Sequence, residues 1–473
     1  MSGIVAIKGE FEDKAFDDMI KKLKHRGPDG EIIFSNGNIK LGEVYFDLED
    51  VNYNNYNYKL LLDGESLLDN KVISKNELLN MYRSKGPEFL KEIEGKFAMI
   101  ITNGNNIFAA RDLFGIKPLY YSKDETSICF ASEMKALIKD YDNVNVFPPG
   151  HYYTPEEGFK KFKDVPQIKS DNHLEIEDAA ERLKDLLTEA VELSLKKENT
   201  GFFLSGGVDS SVIVAVAREV FDKKIISLVA GLKDSDDIHN SRKAAQYLGT
   251  EHSEYIYDSK EMFKVLPEVI YYLESFDVEM VNSSIANYFV SKLAQDKGLK
   301  VILSGEGADE LFAGYHFLKD KKKEGELTNE LAKLLKGLHN GGFQRVDRMA
   351  KACSLEVEMP FMYHKLVDFA LKLPDDYKIS EEEMGKWLLR KAFAGDIPDD
   401  IIWRRKAQFG IGTGNESIME KLIEEKVSDE ELSRENKKEG ITFKSKEEYY
   451  YYNIFKELFP SKAAEKTVNR WQV

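Results

Sequence analysis

The stretch Gly201-Phe-Phe-Leu-Ser-Gly-Gly-Val-Asp-Ser-Ser211 decides the fold of the longer half of this chain. An apolar run ends in a glycine pair, and an apolar helical pattern, SSVIVAVAREV, begins directly after it. A buried strand that feeds a helix through such a turn is the unit from which parallel sheets are built. The same geometry holds phosphate. Glycines let backbone N–H groups approach an anion, the helix contributes its positive N-terminal end, and Ser205, Ser210 and Ser211 offer hydroxyl donors. The loop has neither the spacing nor the Lys of G-x-x-x-x-G-K-[ST]. A bare Gly-Gly-x-Asp turn is usually structural. The flanking serines, the preceding strand and the following helix together favour phosphate here.

Working outward, KIISLVAGL and GLKVILSGEG are further buried strand patterns between helical stretches, and beyond about residue 320 the chain reads as mainly helical. The second of these strands leads into Ser304-Gly-Glu-Gly-Ala-Asp-Glu310. Two strand ends in one parallel sheet face a common crevice, where ligands bind in open α/β sheets. An acidic turn is often no more than a solvated surface. Beside a phosphate loop, however, Glu306, Asp309 and Glu310 suit magnesium and acid/base chemistry, because Mg²⁺ is commonly held by one or two carboxylates plus substrate phosphates. Asp209 is the matching carboxylate on the first loop. Farther on, WRRKAQFG supplies Arg404, Arg405 and Lys406, cations suited to neutralising a departing pyrophosphate.

The first part of the chain has a different grammar. Short β-type runs such as GIVAI, KLLLDG, FAMIITN, IFAAR and PLYYS alternate with turn signals such as RGPDG, SNGN and NGNN, which predicts layered antiparallel sheet with a few helices. The polar stretch TPEEGFKKFKDVPQIKSDNHLEIED has no sustained period and reads as a connection, so the domains are expected at 1–165 and 166–473. With 473 residues, 42% hydrophobic and 32% charged, the chain has the makings of an ordinary globular protein. A net charge of −16 without any basic stripe argues against nucleic-acid binding. Two cysteines, with no C-x-x-C or His cluster, support neither a disulfide framework nor a structural zinc site. No apolar run reaches membrane-span length, and the opening residues have no signal-peptide pattern; a cytoplasmic location is expected.

Taken in order, these motifs resemble the asparagine synthetase family, which includes the β-lactam synthetases. The first half carries GIVAI, HRGPDG (25–30), ARDLFGIKPLYY (110–121), FASEMKAL (130–137) and FPPGHYY (147–153); the second carries LSGGVDSS, SGEGADELFAGY, LEVEMPF, RRK and SKEEYYYYNIFKELFP. The resemblance implies an α+β N-terminal-nucleophile domain of αββα layering, built for glutamine amidotransfer. It is followed by an α/β parallel-sheet ATP-pyrophosphatase domain with a helical C-terminal part. It further implies that ATP adenylates a carboxylate with Mg²⁺, and that an amine or ammonia then attacks, releasing AMP and pyrophosphate. Carried over residue by residue, Ser205, Gly206, Gly207, Asp209 and Ser210 hold pyrophosphate and metal. Leu204 and Ala230 touch the adenine region, Ser304 and Gly305 line the nucleotide, and Asp309 joins the metal shell. Lys406 stabilises pyrophosphate, while Glu306 and Tyr315 match the family's acid/base pair. The partners implied are small molecules, with no nucleic acid and no membrane; the oligomeric state stays open, a homodimer among the options.

The chain departs from the family pattern at two places. Ser2 stands where the nucleophilic Cys is usual, Val44 and Tyr45 where an Arg-containing stretch grips glutamine, and Asp63 where an Asn completes the oxyanion hole. A carboxylate at an oxyanion site opposes the developing charge. The first domain therefore reads as a scaffold without glutaminase activity. On the acceptor side, Asn282 and Glu358 stand where the family has Arg, with Glu279 nearby. Drift at packing positions would explain these changes; a substrate other than aspartate would explain them too. Three functions follow from the residues: an AMP-forming amide ligase acting on another carboxylate, an ammonia-dependent asparagine synthetase with an altered pocket, or a non-catalytic ATP-binding scaffold.

Overall fold

The computed structural model describes residues 2–46, 58–165, 174–195, 199–404, 412–438 and 440–470. Two compact units emerge. The first contains the described residues up to Val165 together with Leu338–Gln344 and the stretch that starts at Phe455; the second contains the remainder.

In the first unit, short apolar runs buried on both faces build two six-stranded sheets. One centres on Ser2–Lys8, paired antiparallel with both Ile39–Tyr45 and Ile128–Ala131. The other centres on Glu94–Thr102, paired antiparallel with Lys59–Leu68 and Ile107–Arg111. Period-two geometry sends Ile4, Ala6, Leu61, Ala98 and Ile100 into one core between the sheets. Leu60, Leu62, Phe97 and Met99 face the other way, onto Leu78 and Leu79 of the helix Lys75–Lys85. The helix Asp13–Lys22 covers the other sheet, and an added Cβ on Gly42 would lie 2.3 Å from Ile20 Cδ1. The layering is αββα, as the resemblance implied. One expectation needs correction: the polar stretch after Tyr153 is not wholly a connection. Its Thr154–Gly158 turn closes a hairpin, and Gly158–Lys161 forms an edge strand against His151–Thr154.

The second unit is built on five parallel strands, all short and buried except the edge strand Glu251–Tyr257. In spatial order they are Glu251–Tyr257, Ile226–Leu232, Thr200–Phe203, Val301–Leu303 and Glu356–Glu358. Counted along the chain this is 3-2-1-4-5, so the direction of winding reverses between Thr200–Phe203 and Val301–Leu303. Connections leave those two strands on opposite faces, and a crevice opens past their carboxyl ends. The two loops singled out in the sequence occupy those ends. Among the described residues no helix is long and apolar enough to cross a membrane.

Candidate functional site

The first loop is shaped by glycine. Gly206 has φ +72°, and a Cβ there would lie 2.3 Å from the Asn240 carbonyl carbon and 2.5 Å from the Ser241 nitrogen. No other residue fits. Gly207 is the N-cap of the helix Val208–Val220, and no side chain caps it, which leaves a helix N-terminus suited to an anion. Ser205 Oγ and Ser210 Oγ lie 3.3 Å apart at its mouth. Leu204, just past the strand Thr200–Phe203, and Ala230, on the neighbouring strand, are both buried, with the Leu204 N–H donating to the Leu228 carbonyl at 2.9 Å.

The second loop touches the first. A Cβ on Gly305 would lie 2.8 Å from Asp209 Cβ and 2.9 Å from the Ser210 nitrogen, so glycine allows the two loops to close on each other. The Ser304 N–H donates to the Glu358 carbonyl at 2.9 Å, tying the loop to the last strand. Asp209 and Asp309 are thereby brought together, and a residue the sequence reading missed lies between them. Lys386 Nζ is 2.5 Å from Asp209 Oδ2 and 2.6 Å from Asp309 Oδ1. Burial works against the charge on Lys386, but the two carboxylates outweigh it and hold its pKa above the ordinary lysine value. Lys386 has φ +58° and its N–H donates to the Phe312 carbonyl at 2.9 Å, which fixes where the helix Trp387–Ala392 begins. Gly314 makes room for the cluster, since a Cβ there would lie 1.7 Å from Asp309 Oδ1 and 2.4 Å from Lys386 Cε. Arg390 faces the same pair: burial lowers its pKa, and Asp209 and Asp309 oppose that shift. Lys386 sits in EEEMGKWLLRKAF, and its only sequence signal is a Lys after Gly at the head of an apolar helix. Lys406 and Arg405 fall outside the described residues.

The acid/base candidates are close but arranged differently from the expected pair. Tyr315 Oη donates to Glu310 Oε1 at 2.5 Å, while Glu306 Oε2 accepts from Arg345 Nη2 at 2.8 Å. Burial, followed by Glu310, Asp309 and Glu306, pushes the Tyr315 phenol well above its usual range. The phenol therefore serves as a donor. Glu310, one of the three carboxylates the sequence singled out on this loop, is its direct partner, where the resemblance had paired Glu306 with Tyr315.

The acceptor-side reading is corrected in part. Asn282 is 1% exposed. Its amide nitrogen donates to Glu447 Oε1 at 2.8 Å, and its amide oxygen accepts from Tyr451 Oη at 2.7 Å. The change from an expected Arg is answered inside this buried network, through the tyrosine-rich helix Lys446–Leu458. Glu279 is exposed on the first turn of the helix Val278–Asp296, where an acid complements the helix dipole. Glu358 is buried at the end of the strand Glu356–Glu358, beside Ser304.

In the first unit, the residues that would handle glutamine are tied to one another. Ser2 is 1% exposed and its Oγ donates to the Leu62 carbonyl at 2.8 Å. Val44 is fully buried, with a Cγ 3.0 Å from where a Cβ on Gly3 would stand. Tyr45 closes over Gly30 in the same way, its Oη 2.2 Å from an added Cβ. Asp63 shares the inward face of its strand with Leu61 and binds Arg26 Nη2 at 2.9 Å. Arg26 Nη1 is 2.9 Å from Glu133, which also meets Lys135 and, at 3.1 Å, His25. Burial holds the His25 pKa down despite Glu133.

Comparison with known proteins agrees with this geometry. The sequence model of the family described as asparagine synthase matches residues 182–340 and 319–473, and that of the glutamine amidotransferase domain matches 46–139. A probable glutamine-hydrolysing asparagine synthetase of Dictyostelium discoideum is 30% identical, covering 100% of this chain and 96% of its own. Glutamine-hydrolysing asparagine synthetase 2 of Arabidopsis thaliana is 30% identical over 99% of this chain and 89% of its own. For asparagine synthetase B of Escherichia coli K12 the identity is 30%, over 97% of this chain and 90% of its own. With the pyrophosphatase-type loop, the paired carboxylates and these full-length matches in place, the chain belongs to the asparagine synthase family and is an ATP-dependent ligase that forms carbon–nitrogen bonds.

Proposed function

We propose that this ligase adenylates a carboxylate other than free aspartate and couples it to ammonia or an amine without hydrolysing glutamine. The observation that carries the reading is Asp63, a fully buried carboxylate bound to Arg26 where an amidotransferase places an oxyanion donor. A negative group there raises the energy of a tetrahedral oxyanion. On the synthetase side, the Gly206–Gly207 turn, the helix N-terminus and the serine hydroxyls suit the β- and γ-phosphates. Lys386 and Arg390 suit the charge that builds on departing pyrophosphate.

Asp209 and Asp309 would hold a magnesium ion: both are partly solvent-accessible, and both already approach a single cation, the Lys386 ammonium. When bound there with nucleotide, Mg²⁺ would supply Lewis-acid neutralisation of the phosphates. Glu306 and Glu310 are the carboxylates to take the proton from the attacking amine, with the Tyr315 phenol, a donor to Glu310, positioning the acid. The substrate reading rests on Glu358, since Asn282 is engaged elsewhere. A carboxylate beside the acyl site favours an acid carrying an amino or guanidinium group over aspartate.

The withdrawal of Asn282 from the pocket favours a second reading, an ammonia-dependent asparagine synthetase. The two are separated by pyrophosphate exchange into ATP, driven in turn by aspartate and by a panel of basic and neutral amino acids, in wild type and Glu358→Arg. Efficient asparagine formation from aspartate and ammonia, unchanged or reduced by Glu358→Arg, selects the second. Glutamate release from glutamine that Ser2→Ala abolishes overturns the loss of glutaminase.

A further inference from the structure

We propose that Arg345 is a positioning residue for amide formation: it holds Glu306 by one carboxylate oxygen and aims the other at the nitrogen of the attacking amine. This rests on the reading of Glu306 as one of the carboxylates that take the amine's proton. Arg345 Nη2 donates to Glu306 Oε2 at 2.8 Å, and the two side chains keep 12% and 17% of their surface in solvent. Glu310, the other candidate, is 1% exposed, and its Oε1 already accepts from the Tyr315 phenol. Glu306 is therefore the carboxylate that an incoming amine can reach, and Arg345 fixes its direction.

A partly exposed ion pair is ordinarily worth little, because two long side chains must be ordered to make it. Here the surrounding frame has already ordered them. Arg345 belongs to the helix Gly342–Ala352, in which Arg345, Arg348 and Lys351 recur every third residue on successive turns. Arg348 Nη2 is 3.1 Å from Glu274 Oε2 and Lys351 Nζ is 2.7 Å from Glu356 Oε2, with all four side chains at most 2% exposed. Leaving a buried charge without its partner is costly, so these two pairs lock the rotation of the helix and with it the direction of Arg345. Glu356 opens the strand Glu356–Glu358, which pairs in parallel with Val301–Leu303, and the latter leads into the loop that carries Glu306. The same edge of the sheet thus anchors both ends of the Arg345–Glu306 bond. A guanidinium keeps its charge throughout the working pH range and presents its donors in a rigid plane, which suits this task better than an ammonium does. In the step itself the amine nitrogen forms the C–N bond to the acyl carbon, one of its protons passes to Glu306 Oε1, and the bond from the acyl carbon to the phosphate oxygen breaks to release AMP. The ammonium formed by the attack is strongly acidic, so an ion-paired carboxylate is base enough. What it needs is a fixed place.

The test compares two half-reactions on the full chain: pyrophosphate exchange into ATP, which reports adenylation, and amide formation from ammonia, using whichever of aspartate and the basic and neutral amino acids best drives exchange. Arg345→Met should lower the ratio of amide formation to exchange about a hundredfold, the loss expected when a reacting group is displaced by about 1 Å. Arg345→Lys, which keeps the charge without the planar fork, should recover part of that ratio. In a Glu306→Gln background Arg345→Met should have no further effect on it. A mere strut for the fold would lower both half-reactions together and leave the ratio where it was. An unchanged ratio in Arg345→Met beside a lowered one in Glu306→Gln overturns the assignment of Arg345 and leaves Glu306 in place. An unchanged ratio in Glu306→Gln overturns the reading of Glu306 on which the assignment rests.

Discussion

Replacing Lys386 by Met should destabilise the synthetase unit and make its stability depend on magnesium. The ammonium lies 2.5 and 2.6 Å from oxygens of Asp209 and Asp309, and at an effective dielectric near 20 each contact is worth about 6 kcal/mol of gross attraction. Most of that is offset by desolvation, and removing one partner of a buried ion pair typically costs about 3–5 kcal/mol. Here the carboxylates keep 22% and 19% of their side-chain surface in solvent, so water relieves part of the loss, leaving about 2–3 kcal/mol. For a unit of this size that corresponds to a fall in Tm of about 3–5 °C. The two acids, freed of their cation, then become a better magnesium site. At about ten times its Kd, Mg²⁺ should return about 1.4 kcal/mol to the variant. Thermal unfolding of wild type and Lys386→Met, with and without Mg²⁺ and without nucleotide, measures both effects. An unchanged Tm, or equal magnesium responses in the two proteins, would refute the claim that Lys386 neutralises this pair. Pyrophosphate exchange should fall about a hundredfold or more in the variant, since a cation facing the leaving group is lost.

Three further outcomes follow from other parts of the molecule. Ser2→Cys alone should give no glutaminase, measured as glutamate release, because Asp63, Val44 and Tyr45 remain; appearance of activity would show the pocket to be open. Asp237→Asn should stabilise the protein at about pH 8 and not near pH 4. Burial pushes this carboxyl from 3.8 to about 7, so its folded state holds the proton more tightly and the penalty grows as pH rises between those values, to about 4 kcal/mol at most. Equal Tm shifts at both pH values would contradict it. Tyr451→Phe should cost about 1–3 kcal/mol in unfolding assays by leaving Asn282 and Glu447 short of a donor, with the preference among carboxylate substrates unchanged; an altered preference would put Asn282 back in the pocket.

Sequence exposed the chemistry that is local along the chain and missed what the fold brings together from afar. The run GFFLSGGVDSS was legible because strand, turn and helix are consecutive, and VILSGEGADE because it repeats that grammar. Their contact at Gly305 and Asp209 follows from the 3-2-1-4-5 order, which only the alternating pattern hinted at. Lys386 was not legible. It lies 177 positions from Asp209, and an isolated Lys in an acidic stretch looks like surface until Phe312 and Gly314 fix its place. Asn282 misled for the opposite reason. An unusual residue at a pocket position suggested altered specificity, whereas its partners, Glu447 and Tyr451, come from a helix more than 160 positions away. Glu306 and Tyr315 could be named from their motif, but which acid accepts the Tyr315 hydrogen bond depends on side-chain directions that no motif encodes.

The charge cluster of the first unit carries the argument about Ser2 further than the identity of that residue does. Asp63 and Arg26 have no exposed surface at their charged groups, and an unpaired charge in such a place costs several kcal/mol. A carboxylate at 63 is therefore tolerable because Arg26 reaches it, and Arg26 is held from the other side by Glu133. Lys135 meets Glu133 in turn, so two acids and two bases form a chain with no formal excess charge, while burial keeps His25 neutral beside them. Glutamine brings both an ammonium and a carboxylate. To bind here it must compete with pairs already made, and any side chain that turned to grip it would abandon a buried partner. Charge balance within the sandwich and capture of a zwitterion make opposing demands on the same residues, so restoring a thiol at position 2 leaves that conflict in place.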